Sequence, residues 1–153
     1  MPIQVGDKAP NIKTAEFSLA DAKGQLVVLF FFPKADTPGC TKEACEFRDA
    51  QKTFHRKNAV IVGISPDKPA AQGKFAEKYG LPYAFVADPD HAIAEAYGVW
   101  KEKSMYGRKY MGIERTTFVI DEKGKIANIF VKVKPAGHAA EVLEALAKNR
   151  DGA

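Results

Sequence analysis

The sequence predicts an α/β protein with a mixed central sheet covered by helices on both faces, and three observations carry that prediction. Residues Leu26–Phe32, LVVLFFF, are apolar throughout, as in a strand with both faces covered. A helical periodicity and a second apolar run, Ala59–Ile64, follow, which makes a strand–helix–strand unit with a parallel pair and a right-handed crossover. Late in the chain, Thr116–Ile120 and Lys125–Val133 read as a hairpin across Asp121-Glu122-Lys123-Gly124, so antiparallel pairing joins the parallel unit.

The elements follow in order. Phe17 to Gly24 reads as a strand edge running into a turn. From Thr41 to about Lys57, the residues Ala44, Phe47, Gln51 and Phe54 recur at helical spacing. A second helix has Pro69 in its first turn, Ala71, Phe75 and Tyr79 on one face, and Gly80 at its end. Tyr83–Ala87 is a short strand closed by Asp88-Pro89, and His91–Tyr97 a short helix ending at Gly98. Lys101–Lys109 reads as a solvated loop. The last helix runs from about His138 to Asn149, with Val142, Leu143 and Leu146 facing inward.

Composition narrows the function. At 153 residues, with 46% hydrophobic and 27% charged residues, the chain suits one domain spanning 1–153 with a real core. No apolar run approaches the roughly 18 residues of a membrane span, so no membrane association is expected. The net charge of +4 is mild and scattered, and no nucleic-acid-binding motif accompanies it. No basic region followed by an apolar stretch opens the sequence, so the expected compartment is the reducing cytosol.

The chemistry centres on PKADTPGCTKEAC, residues 33–45, which holds both cysteines of the chain. Cys40 falls in or beside the first turn of the predicted helix, where unpaired N–H groups and the positive end of the helix dipole favour a thiolate. Cys45 lies a turn and a half further on, about 8.7 Å away between Cα atoms in an ideal helix. Disulfides rarely bridge more than about 7 Å, so a bond between the two requires the first turns to unwind. Two cysteines on an amphipathic helix also fit small buried hydrophobes. His55, His91 and His138 show no ligand spacing with them, so no metal is expected. His91 suits a surface or capping position, and Trp100 suits packing beside a cleft.

Pro33, Thr37 and Cys40 match the P-x-x-x-T-x-x-C motif of the peroxiredoxins, thiol peroxidases of the thioredoxin-like fold. The continuation Thr41-Lys42-Glu43-Ala44-Cys45 resembles the Q-type branch, also called bacterioferritin comigratory protein. The similarity extends from Val5–Pro10 to Glu114–Asp121. It implies that Cys40 is the peroxidatic cysteine and Cys45 the resolving one, joined as an intramolecular disulfide. It further implies that Thr37 bonds the peroxide, Pro33 shields the site, Arg115 holds the thiolate and peroxide oxygen, and Glu43 orients that arginine. The substrates implied are hydrogen peroxide and organic hydroperoxides. The implied reductant is thioredoxin, with glutaredoxin as the alternative; no cofactor is required and a monomer suffices.

Thiolate formation alone does not make such an enzyme. Lowering a thiol pKa from about 8.5 to about 6 raises the thiolate fraction at pH 7 roughly thirtyfold. The accompanying loss of nucleophilicity takes back about tenfold. The remainder must come from donors aimed at the peroxide oxygens, one of which can contribute roughly 3–4 kcal/mol. Without the resemblance, each candidate has a plainer reading: Thr37 as a turn or cap residue, Arg115 as a surface charge, Glu43 as a first-turn acid, Pro33 as a strand terminator. A thiol–disulfide oxidoreductase acting on proteins, and a non-enzymatic redox sensor or chaperone-like binder, are the rival functions. The first lacks a C-x-x-C pair; the second predicts oxidation without repeated turnover.

Overall fold

A computed structural model describes residues 3–151. Among the described residues there are seven strands: β1 (Leu26–Phe31), β2 (Ala59–Ser65), β3 (Ala84–Ala87), β4 (Trp100–Met105), β5 (Arg108–Ile113), β6 (Thr116–Ile120) and β7 (Ile126–Phe130). Four α-helices accompany them: α1 (Pro38–Arg56), α2 (Pro69–Tyr79), α3 (Ala92–Ala96) and α4 (His138–Asp151). The main sheet has the order β3-β2-β1-β6-β7. β1 and β2, and β2 and β3, pair in parallel, while β1–β6 and β6–β7 are antiparallel. This is the mixed sheet that the sequence predicts.

β1 lies at the centre, and its unbroken apolar run serves both faces in alternation. Val28, Phe30 and Phe32 join Phe47, Phe54, Phe75, Val142 and Leu146 beneath α1, α2 and α4. Val27, Leu29 and Phe31 face the opposite cluster, with Ile12, Tyr97, Ile113 and Phe118. That second face is covered by the N-terminal segment and the short α3. Phe30 stacks on Phe47 with ring centroids 4.9 Å apart, locking α1 onto the sheet.

Three expectations change. Phe17 to Gly24 forms no strand; Ser18 makes one isolated bridge to Lys13, and Ala20–Ala22 is a single 3-10 turn. Helix α1 starts at Pro38, three residues before Thr41, because proline's fixed φ suits a first helical position and Thr37 is extended (φ −102°, ψ 155°). The segment Lys101–Lys109 is part of the antiparallel hairpin β4–β5, turning at Tyr106 and Gly107, both with positive φ. Its strands are largely polar and exposed, so they carry no apolar alternation. His91 occupies the position before α3 without a side-chain cap and stacks flat on Trp100, at 4.0 Å and 2°.

Candidate active site

The 33–37 loop between β1 and α1 is held from both sides. Asp67 accepts a hydrogen bond from the Ala35 N–H (2.8 Å) and from Ser65 Oγ (2.8 Å) at the end of β2. Asp36, in a left-handed conformation, accepts bonds from Lys78 Nζ and from Tyr79 Oη (2.8 Å) at the end of α2. These contacts aim the entry of α1. Pro33 is half-buried at the end of β1, at the mouth of the loop.

Cys40 is the third residue of α1 and only 1% exposed. The N–H groups of Gly39 and Cys40 precede the first intrahelical bond, from Thr41 N to Thr37 O (2.8 Å), so both point out of the helix end. Thr37 stands at the N-cap position, yet its side chain caps nothing. Its hydroxyl donates to the Lys34 carbonyl (2.7 Å), which can only accept. With its proton committed there, Thr37 Oγ1 presents acceptor lone pairs, the polarity that a peroxide O–H requires.

Arg115 comes from just before β6, 75 residues away in sequence. Its Nη2 donates to Cys40 Sγ at 3.4 Å, and its Nη1 to Glu43 Oε1 at 2.9 Å. The Arg115 side chain is 18% exposed and that of Glu43 is 0%, so this pair is no surface salt bridge. Its backbone is fixed too, because its carbonyl accepts the Val133 N–H at 2.9 Å. Burial works against the Arg115 charge, but Cys40 and Glu43 outweigh it and hold the guanidinium protonated more firmly than usual. For Glu43 the balance is reversed. Burial pushes its carboxyl up to about 7 against the pull of Arg115. Among the described residues, its Oε2 has no hydrogen-bond partner.

Thr37, Cys40, Glu43 and Arg115 thus gather at the entry of α1, with Pro33 in the loop that leads into it and Cys45 further along the helix. Cys45 is half-buried, packs against the core beneath α1, and is a free thiol, as is Cys40. Two further contributors escape sequence reading. A Cβ placed on Gly39 would lie 3.3 Å from Arg115 Nη2, so the glycine gives the guanidinium room beside the thiol. Lys103 of β4 runs over Gly112; burial, then the charge of Arg115, lowers its pKa, while Glu114 and Cys40 oppose that shift. Nothing local in the sequence marks either one, since both act across the fold. Among the described residues no three His, Cys, Asp or Glu side chains gather as a metal site.

A thiol at a helix N-terminus beneath a half-buried arginine, on a mixed sheet of this order, defines a thiol-based oxidoreductase of the thioredoxin-like fold. Residues 5–129 match the model of the AhpC/TSA family. Peroxiredoxin Bcp of Bacillus subtilis is 46% identical over 151 residues, covering 95% of this chain and 96% of its own length. A solved structure of the bacterioferritin comigratory protein of Xanthomonas campestris, described for its alkyl peroxide reduction activity, superposes with a TM-score of 0.83. It is 38% identical and covers 87% of this chain and 85% of its own. A peroxiredoxin Q variant from Xylella fastidiosa gives a TM-score of 0.89 at 32% identity, covering 98% and 99%. The chain belongs to the AhpC/TSA family of peroxiredoxins, in the Q-type branch, and is a thiol peroxidase. Among the described residues no helix is long and apolar enough to cross a membrane.

Proposed function

We propose that the chain, acting as a monomeric single domain spanning 1–153 in a reducing cytosol, reduces hydrogen peroxide and organic hydroperoxides through Cys40. The thiolate attacks the nearer peroxide oxygen, the O–O bond breaks, and the departing oxygen leaves as water or an alcohol after taking a proton. Sulfur is oxidised by two electrons to a sulfenic acid as the peroxide is reduced. Arg115 and the N–H groups of Gly39 and Cys40 stabilise the charge developing on the oxygens, and Thr37 orients the peroxide by accepting its O–H. Glu43 keeps the guanidinium plane turned toward Cys40, and Pro33 screens the loop from water.

Cys45 then attacks the sulfenic sulfur, water leaves, and a Cys40–Cys45 disulfide forms. Because the two thiols are a turn and a half apart on α1, this step requires local unwinding. Thioredoxin, or alternatively glutaredoxin, returns the disulfide to two thiols by exchange. No bound cofactor or metal takes part.

The observation that carries this reading is the forked contact of Arg115, to Cys40 Sγ at 3.4 Å and Glu43 Oε1 at 2.9 Å. The test is peroxide turnover with thioredoxin, thioredoxin reductase and NADPH, beside Cys40→Ser and Cys45→Ser. Sustained activity that vanishes in Cys40→Ser and falls in Cys45→Ser is expected. Undiminished thioredoxin-supported turnover in Cys45→Ser would remove the resolving role, and thiols inert to peroxide would remove the whole cycle.

A further inference from the structure

Helix α1 is tied to the protein body unevenly along its length. From Ala44 onward it is anchored to three separate elements. Tyr83 Oη, just before β3, donates to the Ala44 carbonyl at 2.6 Å. Arg48 Nη1 donates to the Tyr79 carbonyl at the end of α2, at 2.7 Å. Glu46 Oε1 accepts the Gly137 N–H ahead of α4, at 2.8 Å. Phe47 and Phe54, both 0% exposed, seat the same stretch in the core.

The Tyr83 bond is held firmly. The ring is buried, tilted on Phe85 at 5.2 Å and edge-on to Phe30 at 5.8 Å, so the hydroxyl cannot swing to solvent if Ala44 leaves. Breaking this bond would strand a buried donor. Ahead of Ala44, by contrast, the polar side-chain ties of the helix among the described residues are the two contacts of Arg115 to Cys40 and Glu43 and the partly exposed Lys42–Glu46 pair at 3.6 Å. A pair of that kind adds little. Conversion of the Cys40 thiolate to an uncharged sulfenic acid removes the charge that Arg115 attracts. Oxidation therefore loosens the segment ahead of Ala44 and leaves the Tyr83 and Arg48 contacts untouched.

We infer that Tyr83, assisted by Arg48, is a clasp that pins Cys45 and stops the unwinding of α1 at Ala44, so that Cys40 travels to a stationary Cys45. Tyr83 is thus a positioning residue for disulfide formation, and this role rests on the Cys40–Cys45 disulfide proposed above. The three residues Thr41–Glu43 ahead of the pinned Ala44, once non-helical, are long enough to fold back, since extended chain reaches about 3.3–3.6 Å per residue.

Helix geometry converts the inference into a boundary. Carbonyls up to Glu43 accept from amides up to Phe47, while Ala44 accepts from Arg48. Hydrogen exchange read by mass spectrometry on the full chain, reduced and then oxidised with one equivalent of hydrogen peroxide, should show amides 41–47 losing protection. Arg48 and the following turn should keep it. In oxidised Tyr83→Phe, protection at residues 48–51 should fall about five- to tenfold, the worth of one hydrogen bond, while the reduced variant matches the reduced parent. Arg48→Met should move the boundary in the same direction.

Loss of protection running past Arg48 in the oxidised parent would overturn the clasp, and so would an unchanged boundary in Tyr83→Phe. Equal loosening of the reduced and oxidised variant would make Tyr83 a merely structural contact, which also overturns it. The boundary in the parent decides the matter even if Tyr83→Phe does not fold. Peptide mapping separates the two readings. A mapped Cys40–Cys45 disulfide with a different boundary refutes only the clasp, whereas absence of that disulfide refutes the resolving role of Cys45 and the clasp together.

Discussion

Replacing Glu43 with glutamine probes the electrostatic frame of the site through stability. Two effects compete on this carboxyl: the guanidinium of Arg115 at 2.9 Å favours the ionised form, and burial, with Oε2 unpartnered, favours the neutral one. Burial prevails and holds the group up to about 7, against 4.5 for a free glutamate side chain. Between those two values the folded protein retains a proton that the unfolded chain has released, so raising the pH through this window favours unfolding. The difference of about 2.5, at about 1.4 kcal/mol per pH unit, makes roughly 3 kcal/mol in all. Stability from this group is full below about pH 4.5, is lost as pH rises toward 7, and is constant beyond. Glu43→Gln has no such titration. Urea unfolding under reducing conditions at pH 4, 5.5, 7 and 8 should therefore show the parent losing about 3 kcal/mol relative to the variant as pH rises. Parallel profiles would refute the reasoning. A parent that gains on the variant with rising pH would show that Arg115, not burial, governs the carboxyl.

Arg115→Met removes the donor on Cys40 Sγ, and stopped-flow oxidation of the reduced enzyme by hydrogen peroxide should slow by about 10²–10³-fold. Retention of more than a tenth of the parent rate would show that the helix N–H groups suffice without the arginine. Gly63→Ala tests the packing beneath the site, because a Cβ there would lie 2.7 Å from Phe85 and 2.9 Å from Phe30. Overpacking of about 1–3 kcal/mol is expected, visible as a melting temperature lower by several degrees, and an unchanged transition would contradict the rigid ring cluster.

Much of the fold is legible along the chain because its signals are local. The uniform apolar run of β1, the helical recurrence of Ala44, Phe47 and Phe54, and the positions of Pro69 and Gly80 each report a backbone state within a few residues. Where the local signal is weak, reading fails. The hairpin β4–β5 is largely exposed on both faces and turns on Tyr106-Gly107, so no regular apolar alternation records it. The start of α1 is displaced by three residues because Pro38 is equally compatible with a loop and with a first helical turn.

The spacing of Cys40 and Cys45, and the motif that places Cys40 at a helix entrance, can be read along the chain, since both depend on neighbouring residues and on helix geometry. The fork of Arg115 between Cys40 and Glu43 arises from the folded arrangement, as does burial of Glu43 deep enough to keep a proton near neutral pH. Tertiary packing also sets the Tyr83 hydrogen bond to the Ala44 carbonyl and exposes Lys103 to the charge of Arg115. The difference lies in the range of the interactions. Backbone propensity acts over a few residues, whereas desolvation and charge pairing depend on which distant segments the sheet brings together, here β6 lying antiparallel to β1 beside the entrance of α1.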